Sequence, residues 1–123
     1  MKISTSHLWA SDIVAYAADP INFDEVVKVN ALASEIVAGS LLDKTTLTLA
    51  NDATTAENLI LVLDPAWAGQ KYLRICRNGL ATFVRRENLV AASGADMENL
   101  FNKLAENLIV IAGDEKCFLR HNN

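Results

Sequence analysis

The fold of this chain is decided by a stretch that begins with residues 35–63, EIVAGSLLDKTTLTLANDATTAENLILVL. Leucine alternates with threonine over Thr45–Leu49, which is typical of a strand buried on one face. Leu59–Leu63 is a continuous apolar run, which predicts a strand buried on both faces. Gly39 interrupts the apolar run Ile36–Leu42 and indicates a bulge or a tight bend. These patterns predict a domain built largely from short strands.

The next predicted feature is a hairpin at Asn78-Gly79, which lies between two strand-like runs. This dipeptide suits a two-residue type I′ turn, which needs positive φ at both positions. Such a turn fixes the register of the two strands, so that Leu73 faces Val84 on an apolar side. The opposite side then carries four residues: Tyr72, Arg74, Phe83 and Arg85.

Residues 96–107 give the clearest helix prediction. Apolar residues recur on one face of this segment: Met97, Leu100, Phe101, Leu104 and Leu108. Ser93, with Asp96 three residues later, suggests a capping box at its start. Leu108–Ala112 and Lys116–Leu119 are predicted as short strands after the helix.

The first 25 residues differ from the rest of the chain. Large aromatic residues recur there at every seventh position: Trp9, Tyr16 and Phe23. Ala10–Ala18 could form a short helix capped by Ser11 or Asp12, or the whole segment could be an extended arm. Glu25–Asn30 is predicted to be a strand. We therefore divide the chain into an N-terminal arm, residues 1–25, and a compact domain, residues 26–123.

The composition is that of an ordinary globular domain, with 123 residues, 51% hydrophobic and 21% charged, and a formal net charge of −4. This length predicts one domain. The negative charge argues against a general nucleic-acid binder, which needs a basic surface. No apolar run approaches the roughly twenty residues that span a membrane. The start of the chain shows no secretory signal pattern, so we expect a soluble protein made in the cytoplasm.

Enzyme and metal-site signatures are missing from the sequence: it has no glycine-rich phosphate loop, no His-Glu-x-x-His, no Gly-x-Ser-x-Gly and no Cys-x-x-Cys. Cys76 and Cys117 each lie in an alternating, strand-like run, which is typical of reduced, partly buried thiols. His7 and His121 stand at opposite ends of the chain. We therefore expect no catalytic residue, no metal, no cofactor and no small-molecule substrate.

The predicted hairpin is rich in basic residues, and three interpretations of its polar face stay open. It could be a solvated strand face, a protein interface, or a surface that stacks on single-stranded nucleic acid. Tyrosine, phenylalanine and arginine are enriched at protein interfaces, whereas the acidic balance elsewhere disfavours nucleic acid. Two interpretations of the aromatic arm also stay open: it could fold back on its own domain or become ordered on a partner.

The order of these elements resembles that of the head decoration (capsid cement) proteins of tailed bacteriophages, in particular the lambda-like group. The resemblance covers Val26–Ile111 and has four parts: Ala38–Leu42, Asn58–Leu63, Tyr72–Gly79, and the helix with the Ile/Val strand that follows it. Their order and spacing carry the resemblance more than any single part does.

The resemblance implies an α+β fold: a small, compact, β-dominated domain, either a mixed sheet or a partial barrel, with one or two short helices and an N-terminal arm. It implies a structural virion protein that is not an enzyme. Such a protein binds the outer surface of the expanded capsid as a homotrimer and cements neighbouring capsomers, so its partners are the major capsid protein and itself. The alternative is another small phage structural protein, such as a head–tail connector or a tail component. A small enzyme or regulator with an unrecognised site is a third, weaker alternative.

The same resemblance suggests which residues make the contacts, because an N-terminal arm touches the major capsid protein in the lambda-like case. Three residues are therefore capsid-contact candidates: Trp9, Tyr16 and Phe23. The aromatic and basic face of the predicted hairpin, independently of the resemblance, supplies four candidates for a subunit or capsid interface: Tyr72, Arg74, Phe83 and Arg85. On this interpretation, removal of residues 1 to about 22 leaves a folded domain that no longer binds capsids.

Overall fold

Three small β-sheets and one packed helix make up most of the fold in the computed structural model, which describes residues 8–113 of the chain. Within these residues the strands, in chain order, are β1 (Val14–Ala17), β2 (Asp24–Lys28), β3 (Leu41–Asp43), β4 (Thr48–Leu49), β5 (Leu59–Leu61), β6 (Tyr72–Cys76), β7 (Thr82–Val84) and β8 (Ile109–Ile111). The helices are α1 (Ala10–Ile13) and α2 (Met97–Glu106), with short 3₁₀ turns at Ala56–Asn58 and Arg86–Asn88. The expected β-dominated α+β fold is confirmed.

Each of the three sheets is defined by its own strand pairing. In the first, β7 pairs antiparallel with β1 and parallel with β8. In the second, β2 and β6 pair antiparallel, so that Val26 faces Arg74. In the third, β3 lies between β4 and β5, both antiparallel to it. A bridge between Val62 and Ile75 connects the third sheet to the second.

Two hydrophobic cores lie on opposite sides of the third sheet. Successive residues along β5 and just beyond it enter the two cores in turn, which explains the continuous apolar run there. The main core contains buried residues that include Ile13, Leu41, Leu59, Leu61, Leu63, Val84, Leu100, Leu104 and Ile109. The second core contains Leu32, Ile36, Leu42, Ile60, Val62, Ala66, Leu73 and Ile75. The predicted buried strand at Leu59–Leu63 is therefore confirmed over Leu59–Leu61, and the two residues after it are buried as well.

Helix α2 closes the main core, and its predicted position is confirmed. Asp96 caps its start, because one carboxylate oxygen accepts hydrogen bonds from the backbone N–H groups of Glu98 and Asn99. Ser93 is therefore not the capping residue. Leu108 lies beyond the end of the helix with φ of +63°, and its side chain is largely outside the core. The buried stripe of the helix accordingly ends at Leu104.

Gly39 forms the predicted tight bend. Its φ is +92°, a value that favours glycine, and a Cβ placed there would lie 2.0 Å from the carbonyl oxygen of Asn88. The bend delivers Ser40 to a bridge with Val90 and starts β3 at the next residue. Only glycine fits this position without a shift of the neighbouring backbone.

The predicted hairpin at Asn78-Gly79 is wrong. Within the described residues, β6 pairs with β2 and β7 pairs with β1 and β8, and β6 and β7 form no ladder with each other. Gly79 has φ of +91°, but Asn78 does not have positive φ, so the turn is not type I′. The N–H of Gly79 instead donates to the carbonyl of Asn107 at 2.9 Å. More distant strands provide the pairing that a local hairpin would have used.

The predicted strand at Thr45–Leu49 is wrong for most of its length, because residues 44–47 form a turn and only Thr48–Leu49 is a strand. One carboxylate oxygen of Asp43 accepts hydrogen bonds from both the N–H and the hydroxyl of Thr45, at 3.0 and 2.5 Å. Leu47 then takes φ of +59°. The local side-chain hydrogen bonds compete with strand formation and prevail here.

The described part of the predicted N-terminal arm belongs to the compact domain. Helix α1 is a single turn that ends at Ile13, a completely buried member of the main core. Strand β1 then pairs with β7, and β2 matches the predicted strand at Glu25–Asn30 with a shift of one to two residues. Residues 8–25 are therefore integrated rather than extended from the domain. Residues 1–7, the predicted strand at Lys116–Leu119 and Cys117 lie outside the described residues.

Candidate functional site

An aromatic groove of about 210 Å³ lies at the outer side of β6, next to α1 and the loop between β5 and β6. We call it the aromatic groove, and its lining residues include Trp9, Asp64, Trp67, Gln70, Tyr72 and Arg74. Trp9, Trp67 and Tyr72 are 55%, 51% and 53% exposed. Three large aromatic side chains that stay half-exposed around one depression form a surface suited to a partner, because they are costly to leave in water.

Local hydrogen bonds place the first tryptophan at the groove. The carboxylate of Asp12 accepts from the N–H of Trp9 at 2.9 Å, and the N–H of Asp12 donates to the carbonyl of Trp9 at 2.8 Å. The side-chain amide of Asn88 donates to the carbonyl of Asp12 at 2.7 Å. The backbone that carries Trp9 is thereby tied to the body of the domain through α1.

Gln70 positions the second tryptophan. Its side-chain oxygen accepts from the N–H of Trp67 at 3.3 Å, and its side-chain amide donates to the carbonyl of Tyr72 at 2.8 Å. Its own N–H donates to the carbonyl of Trp67 at 3.0 Å. One glutamine therefore connects the loop that carries Trp67 to the strand that carries Tyr72.

Arg74 and Asp64 line one side of the groove, and Arg74 also pairs with Asp24 next to it. The Nε of Arg74 donates to Asp24 at 2.6 Å, and its Nη1 donates to both oxygens of Asp64 at 3.2 and 3.1 Å. Burial by itself lowers the pKa of Arg74, but the hydrogen bonds to the two carboxylates outweigh it and raise that pKa. The guanidinium also lies 5.9 Å above the ring of Phe23. These three side chains together carry a net charge of −1, and the guanidinium of Arg77 lies 3.5 Å from the backbone carbonyl of Asp24.

The structure brings four of the seven predicted contact residues together. Trp9, Tyr72 and Arg74 line the groove, and Phe23 supports Arg74 from beneath while packing against the main core. Whether these residues contact a capsid stays a prediction. Their shared location was not part of the sequence prediction, which assigned Trp9 and Phe23 to a separate arm.

The other three residues lie on a second surface, which we call the β1–β7 face. The rings of Tyr16 and Phe83 are 5.9 Å apart and tilted by 51°. The guanidinium of Arg85 donates to the carbonyls of Ser11 and Val14 at 2.9 and 3.0 Å. The predicted common face of Tyr72, Arg74, Phe83 and Arg85 is therefore wrong, because β6 and β7 belong to different sheets.

Sequence reasoning missed four groove residues: Asp64, Pro65, Trp67 and Gln70. The chain has only two tryptophans, and Trp67 is the second of them, between Pro65 and Gly69. An isolated tryptophan in a turn-rich segment is a signal that could have been noticed. The pairing of Asp64 with Arg74 had no comparable signal, since it depends on how β5 and β6 come together.

A second, larger depression of about 770 Å³ lies between residues 28–36 and the turn at residues 44–48. Its described charged lining residues are Lys28 and Lys44, and it has no aromatic side chain among the residues that the structure describes. Within residues 8–113 there is no group of three or more His, Cys, Asp or Glu that could hold a metal ion. The aromatic groove is therefore the stronger candidate for a functional surface.

Comparison with known proteins found no match among family models, curated proteins or solved structures. No helix among the described residues is long and apolar enough to cross a membrane.

Proposed function

We propose that this chain is a structural protein of a phage virion, which binds the outer surface of the expanded capsid as a homotrimer and cements neighbouring capsomers. Two lines support the proposal. The order and spacing of the elements from Val26 to Ile111 resemble those of head decoration proteins. The described surface offers a feature suited to binding a protein, the aromatic groove.

The single observation that carries the proposal is the concentration of aromatic residues at the groove. Both tryptophans of the chain lie there, together with Tyr72. Tryptophan, tyrosine and arginine are the residue types that dominate the binding energy of protein interfaces. Val26, which faces Arg74 across the β2–β6 pair, is also exposed and extends the apolar surface. A binding role therefore explains why the aromatic side chains of the groove are half-exposed.

Trimerisation would make such a small surface effective. A stable protein interface buries about 800 Å² on each partner, and one groove of this size is only part of that. Three linked copies bind a symmetric lattice with far higher avidity than one copy does, without any new contact. A homotrimer on a shell with local threefold positions is consistent with this requirement.

The test is binding to empty expanded capsids assembled from the major capsid protein of the same genome. We expect the wild-type chain to sediment with expanded capsids and to appear as threefold protrusions by electron microscopy. For the protein released from the capsid, light scattering should give a mass three times the 13.4 kDa of one chain. Unexpanded capsids serve as the matched control and should bind much less.

Two variants locate the contact. The double change Trp9→Ala with Trp67→Ala removes the groove aromatics, and we expect it to abolish capsid binding while the chain stays folded, since both side chains are half-exposed. Tyr16→Ala changes an equally exposed aromatic on the β1–β7 face and should bind normally. A wild-type chain that ignores expanded capsids contradicts the proposal. Binding to a head–tail junction or to tails instead would favour the alternative of a connector or tail component.

A further inference from the structure

We propose that the aromatic groove receives an arginine side chain of the partner protein, whose guanidinium group lies among Trp9, Trp67 and Tyr72 and faces the carboxylate of Asp64. The inference rests on the proposed function only for the identity of that partner as the capsid protein. It goes beyond the proposed function by naming the chemical group that the groove recognises.

Charge complementarity is the first argument. Arg74 lies between two carboxylates, so these three side chains carry a net charge of −1, and Asp64 is the carboxylate that lines the groove. The side chains of Asp24 and Asp64 are 24% and 32% exposed, so a second cation can approach their oxygens. A carboxylate of a partner would meet repulsion from Asp64 here, whereas a guanidinium can donate hydrogen bonds to its exposed oxygens.

The aromatic walls are the second argument. The face of a tryptophan or tyrosine ring attracts a cation, and arginine is the residue that most often takes this position. A planar guanidinium can stack on a ring while its N–H groups donate to a carboxylate, which a lysine ammonium cannot do. The groove combines both elements, and the same pairing already occurs inside the domain, where Arg74 lies above Phe23.

Size is the third argument. A volume of about 210 Å³ is below the roughly 300–1,000 Å³ of pockets that enclose small-molecule ligands. A groove of this volume has room for one long side chain. The groove thus fits a single anchoring residue of a protein better than an enclosed ligand.

The experiment is a titration of the isolated full chain followed by ¹H–¹⁵N NMR. The chain has only two tryptophans and both line the groove, so its two indole N–H signals report on this site alone. The probes are N-acetyl-arginine amide, the neutral isostere N-acetyl-citrulline amide, and N-acetyl-proline amide, all at constant ionic strength. We expect both indole signals to shift saturably with the arginine probe, and the citrulline probe to bind about fivefold more weakly, the scale of one partly exposed ion pair.

A charge variant with a matched control tests the carboxylates. Asp64→Asn neutralises the excess charge and should weaken arginine binding about fivefold, the scale of one partly exposed ion pair. Glu106→Gln makes the same change at an exposed position at the end of α2 and should leave binding unchanged. If Asp64→Asn alters the rest of the spectrum, Asp24→Asn is the second variant, and the citrulline comparison needs no variant at all.

Several results would overturn the inference. It fails if the arginine probe leaves the indole signals unmoved, or if the citrulline or proline probe moves them as strongly. It also fails if neither Asp64→Asn nor Asp24→Asn weakens binding of the arginine probe. Indole shifts that depend on protein concentration without any probe would show that a second copy of this chain occupies the groove instead. Because the titration needs no capsid, its failure is separate from a failure to coat capsids, which would overturn the proposed function.

Discussion

The aromatic groove and the β1–β7 face are built from the same residue types, yet their arginines have different tasks. Arg85 of the β1–β7 face donates to two backbone carbonyls, those of Ser11 and Val14, and so ties α1 and β1 to β7. Arg74 of the groove binds the side chains of Asp24 and Asp64 and leaves part of their surface open. An arginine that satisfies backbone groups serves the fold, whereas one that meets carboxylates in a half-open groove leaves charge available to a partner.

The aromatic residues of the two surfaces differ in arrangement rather than in exposure, because Tyr16 is 61% exposed. On the β1–β7 face, Tyr16 packs on Phe83, so each ring already has an aromatic neighbour. At the groove, Trp9, Trp67 and Tyr72 surround an opening and stay half-exposed. A cluster of arginine and aromatic residues in a sequence therefore does not indicate an interface until the partners of each group are known.

The largest expected effect concerns Ile13, which lies in the chain between Trp9 of the groove and Tyr16 of the β1–β7 face. Ile13 is completely buried in the main core, so Ile13→Ala should lower the free energy of unfolding by about 2–5 kcal/mol. Deletion of residues 1–22, which also removes β1, should abolish cooperative unfolding. Urea denaturation followed by circular dichroism measures both.

Tyr16→Ala is the control for Ile13, because its side chain is 61% exposed and should cost far less. A deletion variant that still unfolds cooperatively, with the same urea midpoint as the wild type, would show that residues 8–22 are a separable arm. In that case the two surfaces could move independently of each other.

The next effect tests the structural task of Arg85. Arg85→Ala removes two charge-assisted hydrogen bonds to backbone carbonyls, and we expect a loss of about 1–2 kcal/mol, reduced by the partial exposure of the site. Arg77→Ala is the matched control, since Arg77 is exposed and reaches the carbonyl of Asp24 only at 3.5 Å. Equal stability of Arg85→Ala and wild type would mean that Arg85 is as available to a partner as the groove residues are.

A smaller effect tests the contact between the two sheets at Cys76. Burial raises the pKa of this thiol from 9.0 to about 11, although a hydrogen bond with Thr82 of β7 acts in the opposite direction. Below pH 9 the thiol is protonated in both states and contributes no pH dependence. As the pH rises above 9, the unfolded state loses its proton first, so stability falls.

When the pH rises from about 8 to about 10, the free energy of unfolding of the wild type should fall by about 1 kcal/mol more than that of Cys76→Ala. Urea denaturation of both proteins at the two pH values provides the comparison, and subtracting one from the other removes the contribution of lysines and tyrosines. Identical pH dependence in the two proteins would show that Cys76 is open to solvent and that β6 and β7 are not in close contact there.

The smallest expected effect lies in the segment that connects β1 to β2, and hence the two surfaces. Hydrogen bonds from the side chain and N–H of Asn22 and from the N–H of Ile21 lower the pKa of Asp19. Asn22→Ala removes the side-chain bond and should raise that pKa toward its ordinary value, as measured by NMR titration. Asn102→Ala, at an exposed position on α2, should leave it unchanged.

The sign for stability follows from the lowered pKa of Asp19. The contribution of Asp19 is present above the ordinary pKa of an aspartate and is lost as the pH falls through the lowered value in the folded state. If Asn22→Ala left the Asp19 pKa unmoved, the turn would not be held by this side chain, and the connection between the surfaces would be looser than the structure indicates.

The sequence by itself determined the elements whose causes are local. Apolar periodicity predicted α2, because the spacing of buried residues follows directly from helix geometry, and short strand-like runs predicted β2, β5 and β8. Gly39 predicted a bend, since only glycine takes that backbone conformation readily. The β-dominated α+β class followed from the resemblance, and the separate arm predicted with it did not appear in residues 8–25.

Only the tertiary structure decided which strands pair and which side chains meet. Asn78-Gly79 favours a local hairpin, but β6 and β7 gain more from β2, β1 and β8, because those pairings bury residues of both cores. The same choice of partners places Asp24 and Asp64 around Arg74 and sends Arg85 to a different sheet. Strand pairing is a competition among distant segments, and no short sequence pattern records its outcome.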